Sequence, residues 1–85
     1  MKEVSVLIVD DHPLFREGVR NVLISEEDIK IIGETTSGAE ALQLVRDMQP
    51  MVALVDVNLP SMNGIQVTRQ VVAERINTAI VLLTA

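Results

Sequence analysis

Short apolar runs alternate along the chain with longer segments in which apolar residues recur every three or four positions. The runs are rich in β-branched residues and nearly free of polar ones, as is typical of strands that are covered on both faces. They predict four strands, at residues 4–9, 29–35, 51–57 and 79–83, and the segments between them predict three helices, the last over about 65–75.

Local signals mark where the first two helices begin. Asp11 or His12 lies at the cap of the first, and Pro13 suits its first turn, where a missing N–H costs nothing. Ser37 and Glu40 predict a capping box for the second, in which each side chain satisfies a helix N–H of the other residue. Before the third helix, an Asn-Gly pair is interpreted simply as a turn.

The apolar spacing also predicts which side chains each helix turns inward. The predicted inward sets are Phe15, Val19, Val22 and Leu23 in the first helix, Ala41, Leu42, Val45 and Met48 in the second, and Ile65, Thr68, Val71 and Val72 in the third.

Strands that alternate with helices indicate βαβ units, which are right-handed and build a parallel sheet. We therefore predict an α/β fold with helices on both faces of the sheet. The favoured strand order is 2-1-3-4, which makes the first and third strands neighbours and sends their crossovers to opposite faces. The short connections predict one domain over residues 1–85.

Composition excludes several classes of function. Twelve acidic residues against seven basic ones give a net charge of −5, which disfavours direct binding of nucleic acid. Phe15 is the one aromatic residue, so no platform exists for stacking bases or a flavin ring. The chain has no cysteine, no signal peptide and no apolar run long enough to span a membrane, so we expect a cytoplasmic protein without membrane contact.

Acidic residues follow two of the predicted strands. Asp10 and Asp11 end the first strand, and Asp56 ends the third. If those strands are neighbours, the three carboxylates meet at one edge and repel one another unless a cation joins them. The pattern predicts a metal-ion site, and oxygen ligands of this kind suit Mg²⁺, Mn²⁺ and Ca²⁺ alike. Taken alone, Asp11 is more simply a helix cap and His12 a helix-start residue.

Three motifs resemble the receiver domains of bacterial two-component response regulators, most closely the subgroup with a LuxR-type helix-turn-helix output. The motifs are Leu-Ile-Val-Asp-Asp-His-Pro-Leu-Phe-Arg-Glu-Gly at 7–18, Val-Asp-Val-Asn-Leu-Pro-Ser-Met-Asn-Gly at 55–64 and Val-Leu-Leu-Thr-Ala at 81–85. They occur in order and are spread over nearly the whole length of the chain, from residue 7 to residue 85. The resemblance implies the flavodoxin-like, receiver-type fold.

The resemblance also implies a signalling function rather than an enzyme. Asp56 would accept a phosphoryl group from a sensor histidine kinase, with Mg²⁺ held by Asp10, Asp11, Asp56 and the backbone carbonyl of Asn58. The Thr84 hydroxyl would contact the phosphoryl group and report the modified state. In an intact protein, this event would control a DNA-binding output domain.

One departure from the family pattern accompanies the match. The family's fourth helix, fifth strand and fifth helix are absent from the 85 residues, and with them the lysine that pairs with the phosphoryl group. We therefore expect a truncated receiver that is impaired in switching. Its fourth strand would be an edge and one sheet face would be poorly covered, so we expect self-association.

Three other functions compete with the receiver. A phosphatase of the haloacid-dehalogenase kind also uses a strand-end aspartate and Mg²⁺, but it requires a second acidic residue at the position that His12 occupies here. A phosphorylation-independent dimerisation module would need no chemistry at all. A flavodoxin-like flavin binder is disfavoured because no Ser/Thr/Gly-rich loop follows the first strand.

Overall fold

The computed structural model of the chain describes residues 3–83. The described part contains four strands and three helices, in the order β1 (Val4–Val9), α1 (Pro13–Ile24), β2 (Ile29–Thr35), α2 (Gly38–Met48), β3 (Val52–Asp56), α3 (Gly64–Ala73) and β4 (Ala79–Leu83). Three of the strands have the predicted bounds; β3 is one residue shorter at each end, which makes Asp56 its last residue. None of these helices is both long and apolar enough to cross a membrane.

The four strands form one parallel sheet with the order β2-β1-β3-β4, which confirms the predicted topology. The central strand β1 is fully covered from Val6 to Val9, as its unbroken apolar run predicted. Helix α1 contacts β1 and β2, whereas α2 and α3 contact each other across the opposite face. This division follows because all the crossovers are right-handed. The crossover after β1 runs along the sheet in one direction, whereas those after β2 and β3 run in the opposite direction, so their helices lie on opposite faces.

The main core lies between the sheet and the α2/α3 layer. Alternate residues of β1 and β3 point into it, as a strand's twofold period requires. The core consists of Leu7, Val9, Ala41, Leu42, Val45, Ala53, Val55, Leu59, Val67 and Val71.

The buried face of α3 includes Val71, as predicted, but otherwise differs from the prediction. Val67 and Val71 are fully buried with Gly64, whereas Ile65 and Val72 are 44% and 69% exposed. Two interleaved sets of residues in α3, one beginning at Gly64 and the other at Ile65, have the spacing of a buried helix face. Hydrophobicity alone does not show which set is buried. The set that contains Gly64 is buried, because only a residue without a side chain lets the helix start against β3.

The other helices also bury less than the pattern predicted. Met48, at the end of α2, is 44% exposed, so its assignment to the core was wrong. Helix α1 has no fully buried residue, and Phe15 and Val22 of its predicted inward face are 49% and 67% exposed. Only one helix lies on this face of the described sheet, so nothing packs against the outer side of its apolar strip.

Helix capping follows the prediction in part. Ser37 Oγ accepts a hydrogen bond from the Glu40 N–H at 3.2 Å, but the Glu40 carboxylate accepts one from the Thr35 hydroxyl instead of from Ser37. The complete capping box belongs to α3, where the side-chain oxygens of Asn63 and Gln66 each accept from the other's backbone N–H at 2.9 Å. The Asn-Gly pair is therefore a helix start and not merely a turn.

Candidate metal centre

The sheet brings the ends of β1 and β3 together. Val9 pairs with Val55 in the parallel ladder, so Asp10 and Asp56 are the next residues at the same edge. Asp10 and Asp56 are 2% and 6% exposed, which is rare for carboxylates that lack a partner charge. The backbone N–H of Asp10 also donates to the carbonyl of Thr35, which ties this edge to β2.

Four side chains converge at this edge and form what is called the acidic cluster below: Asp10, Asp11, His12 and Asp56. One possible ligand atom from each lies within 4.8 Å of the others. The structure thus brings together the three acids that the sequence placed at the ends of two strands. It adds His12, which sequence reasoning had limited to the start of α1.

Local backbone hydrogen bonds hold the two buried carboxylates in place. Asp10 Oδ1 accepts from the backbone N–H of His12 at 2.7 Å, and Asp56 Oδ1 accepts from that of Asn58 at 2.9 Å. Each contact spans two residues, as in the turns that Asp commonly caps with its own side chain. The carboxylates are therefore oriented before any ligand arrives, and the Asn58 peptide, whose carbonyl is a predicted ligand, lies beside Asp56.

The imidazole of His12 turns back over the three carboxylates. Its Nδ1 lies 3.1 Å from Asp11 Oδ1, 3.3 Å from Asp10 Oδ1 and 3.5 Å from Asp56 Oδ2. These carboxylates raise the pKa of His12 above its usual 6.5, with the charge of Asp11 as the largest cause and the hydrogen bond to Asp10 next. The available signal in the sequence was the position of this ring directly after two strand-end acids.

The donor atoms fit a divalent cation. Asp11 Oδ1 is enclosed, and within residues 3–83 no donor reaches it in hydrogen-bonding geometry, although His12 Nδ1 is close. A buried carboxylate oxygen without a donor is costly, and it faces two further carboxylates. Oxygen donors of this kind are the ligands that Mg²⁺, Mn²⁺ and Ca²⁺ prefer.

Glycine allows α3 to begin directly against the acidic cluster's strand. A Cβ on Gly64 would stand 2.6 Å from the backbone carbonyl oxygen of Asp56 and 3.0 Å from Cα of Val57. The Gly64 N–H donates to the carbonyl of Val57 at 3.1 Å. The start of α3 therefore supports the backbone that carries Asp56, a role that the sequence pattern did not reveal.

Two further parts of the predicted site are the Thr84 hydroxyl and the family's lysine, which was predicted to be absent. Thr84, the predicted switch hydroxyl, lies outside the described residues. Lys30, the one lysine among residues 3–83, pairs with Ser5 near the amino ends of the strands. It is therefore about five residues of strand, roughly 16 Å, from the edge that carries the acids.

A family model and a solved structure indicate the same family. A model described as the response regulator receiver domain matches residues 6–85. The structure of the signal receiver domain of NarL from Mycobacterium tuberculosis superposes with a TM-score of 0.97 at 40% sequence identity, over all of this chain and 68% of that one.

Two curated relatives with different names both extend well beyond the matched region. The transcriptional regulatory protein DegU of Brevibacillus brevis is 33% identical over 82 residues, which are 96% of this chain and 35% of DegU. A protein-glutamate methylesterase/protein-glutamine glutaminase of Methanococcus maripaludis is 38% identical over 85 residues, which are 100% of this chain and 23% of that protein. The chain thus spans about a third or less of these relatives.

Proposed function

This chain belongs to the response regulator receiver domain family, and we propose that it accepts a phosphoryl group on Asp56 from a phosphohistidine of a sensor kinase. Asp10, Asp11, Asp56 and the carbonyl of Asn58 would hold the divalent cation that the reaction needs, with Mg²⁺ as the physiological choice. The modified domain would then control an output domain of the larger protein, which its relative DegU suggests is a transcriptional regulator.

The convergence of Asp10 and Asp11 on Asp56 carries this proposal. The three acids come from two distant parts of the chain, and two of them are almost completely buried. Burying carboxylates beside one another is unfavourable, so a fold that does so needs a cation to compensate the charge. A purely stabilising role for these acids does not explain this arrangement, because burying them together lowers stability unless a cation is present.

In the proposed transfer, a carboxylate oxygen of Asp56 attacks the phosphorus of the phosphohistidine. The bond between phosphorus and the imidazole nitrogen breaks, the imidazole leaves with its electron pair, and an acyl phosphate forms on Asp56. When bound, the cation neutralises charge on the phosphoryl oxygens, which is the main requirement of phosphoryl transfer.

The chain's own residues hold the reacting carboxylate and its neighbours in position. The Asn58 N–H holds Oδ1 of Asp56, which stops the carboxylate from rotating away from the site. Gly64 packs closely against the backbone of the same strand end. The His12 N–H fixes the Asp10 carboxylate, which would be one of the ligands of the cation. This pre-organisation reduces the entropy that the reaction must otherwise spend on alignment.

The switch is the part of the proposal that depends on residues beyond those described. We propose that the Thr84 hydroxyl donates to a phosphoryl oxygen on Asp56 once the group is attached. This contact would exist in one state only, which is how phosphorylation biases a two-state element.

Labelling with a small phosphodonor tests the proposal. Incubation of the chain with acetyl phosphate and Mg²⁺, followed by intact-mass and peptide mass spectrometry, should show a single base-labile phosphate on Asp56. The Asp56→Asn variant should show none, while its circular dichroism and melting stay close to wild type because the change is nearly isosteric. Glu27→Gln, an exposed change in the turn before β2, should label normally.

Other outcomes point to other functions. Catalytic release of phosphate that depends on Asp10 would contradict the proposal and favour a phosphatase. A folded wild-type protein that takes up no label, even at saturating Mg²⁺, would contradict it in favour of a dimerisation module.

A further inference from the structure

The acidic cluster contains a nitrogen donor that the proposed function does not use. His12 is the one histidine of the chain, and the chain has no cysteine. Its imidazole is therefore the sole borderline-soft nitrogen or thiolate side chain available to a metal ion. Because it lies among three carboxylates, it can change which ion the site prefers.

The distances suit a shared ion. Ligand atoms that are about 2.1 Å from one ion and at right angles to each other lie about 3.0 Å apart. Nδ1 of His12 lies 3.1 Å, 3.3 Å and 3.5 Å from one oxygen each of Asp11, Asp10 and Asp56. The nitrogen and these oxygens are thus close to the spacing of neighbouring ligands.

The backbone sets the position of the ring, and its side-chain hydrogen bond at 3.3 Å is to Asp10 Oδ1 within the acidic cluster itself. The His12 N–H donates to Asp10 Oδ1, which fixes the residue at the strand end. Its side chain makes no capping hydrogen bond to α1 and is 65% exposed. A neutral imidazole can therefore offer Nδ1 to the cluster while Nε2 carries the proton, and small adjustments of the ring need no repacking.

We infer that His12 is a metal ligand through Nδ1 and that it makes this site prefer first-row transition-metal ions such as Co²⁺ and Zn²⁺ to Mg²⁺. Imidazole binds these ions well, whereas Mg²⁺ favours oxygen ligands and retains its water. The inference rests on the proposed cation site, but it does not depend on phosphoryl transfer. The enclosed oxygen of Asp11, which has no donor among residues 3–83, gives the same ion a negatively charged ligand beside the ring.

Metal titration of the tag-free chain tests the inference. The experiment compares wild type with His12→Phe, which keeps a flat ring without a donor, and with His12→Ala. Competition against a zinc indicator and calorimetry with Co²⁺ and Mg²⁺ should be run at one fixed pH of about 8 for all three proteins. Both variants should lose about tenfold or more in affinity for Zn²⁺ and Co²⁺, the scale expected for removing a metal-site contact, and change Mg²⁺ affinity by less than about twofold.

The other outcomes overturn the inference in distinct ways. Unchanged affinity for all three ions would show that the ring is not a ligand. Increased affinity for all three would show that His12 acts as an internal cation that excludes metals. An equal loss for all three would show that the ring only supports the carboxylates.

A direct spectroscopic reading separates ligation from indirect effects. Because His12 is the sole histidine, long-range ¹H–¹⁵N correlation spectra contain one imidazole, and Zn²⁺ should shift Nδ1 strongly while Nε2 stays protonated. Zinc-induced shifts confined to Nε2, or absent, would overturn the inference. Labelling of wild-type Asp56 with acetyl phosphate and Mg²⁺ is run in parallel; if wild type takes no label, the proposed function fails while the metal-preference result remains interpretable.

Discussion

Nδ1 of His12 lies 3.1 Å from Oδ1 of Asp11, the residue directly before it. Consecutive side chains usually diverge, but here the chain leaves β1 and starts α1, so both turn toward the sheet edge. The charge of Asp11 is the largest cause of the raised pKa of His12, and the charge of Asp56 is the smallest.

We therefore expect Asp11→Asn to lower the pKa of His12 more than Asp56→Asn does. The charge of a carboxylate stabilises the protonated ring, so its removal shifts the titration toward 6.5. NMR titration of the single imidazole in metal-free buffer measures both shifts. A larger effect of Asp56→Asn would contradict the observed geometry.

Gly64 and Gly18 form a matched pair for testing backbone support of the site. A Cβ on Gly64 would meet the Asp56 backbone, so Gly64→Ala should destabilise the fold by about 1–3 kcal/mol. A Cβ on Gly18, inside α1, meets nothing within 4 Å, so Gly18→Ala should stabilise it by up to about 1 kcal/mol. Urea unfolding of both variants measures the difference, and equal effects would refute the close approach at Gly64.

Val67 and Val72 test which face of α3 is buried. Val67 is fully buried in the core, so Val67→Ala should cost about 2 kcal/mol in transfer and cavity terms. Val72 is 69% exposed, and Val72→Ala should change stability by less than about 0.5 kcal/mol. If thermal or urea unfolding gives the reverse order, the sequence-based assignment of the face was right and the observed packing is wrong.

The ion pair of Arg46 and Glu74 joins the carboxyl ends of α2 and α3. Arg46 Nε donates to Glu74 Oε1 at 2.8 Å, and the second guanidinium nitrogen contacts Oε2. The hydrogen bond to Arg46 is the largest cause of a Glu74 pKa lowered from 4.5 to about 2.

A lowered carboxylate pKa contributes stability that is present above 4.5 and is lost as the pH falls through about 2. Glu74→Gln should therefore melt below wild type at pH 7, by a small amount because the pair is partly exposed. The gap should close between pH 4.5 and 2. A gap that is constant across this range would show that the pair's charge is irrelevant, and Glu27→Gln provides the exposed control.

The two edges of the sheet differ in their protection against pairing. Edge strand β2 carries Lys30 and Glu34 and meets β1 through an irregular register, all of which discourage further pairing. Edge strand β4 is entirely apolar in the described residues, and Val81 and Leu82 are 45% and 40% exposed.

We expect a polypeptide of these 85 residues, expressed alone, to self-associate. Sedimentation equilibrium should give a concentration-dependent mass above the monomer's 9.3 kDa. Val81→Lys should shift the equilibrium toward monomer if β4 pairs, and Phe15→Glu should do so if the exposed face of α1 is used. Val72→Lys, on the outer face of α3, is the control; a cooperatively melting monomer at all concentrations would contradict the expectation.

Much of the fold was accessible from local patterns. The strands were recognisable because each combines β-branched residues with a length suited to a buried parallel sheet, and the strand order follows from the handedness of crossovers. The same rule brought Asp10 and Asp11 to the edge that carries Asp56. Strand-end acids are visible in the sequence because the strands themselves are so apolar.

Tertiary packing decided the features that the patterns left ambiguous. In α3, the sets led by Gly64 and Ile65 have the same spacing, and only the close approach to Asp56 selects the first. The Glu40 carboxylate takes the Thr35 hydroxyl because β2 ends beside it, a partner outside the helix pattern. His12 joins the acidic cluster because its ring can fold back over an edge that β1 and β3 build together. Periodicity constrains which side chains share a face, whereas the contacts those side chains make depend on which surfaces the folded chain brings within a few ångströms.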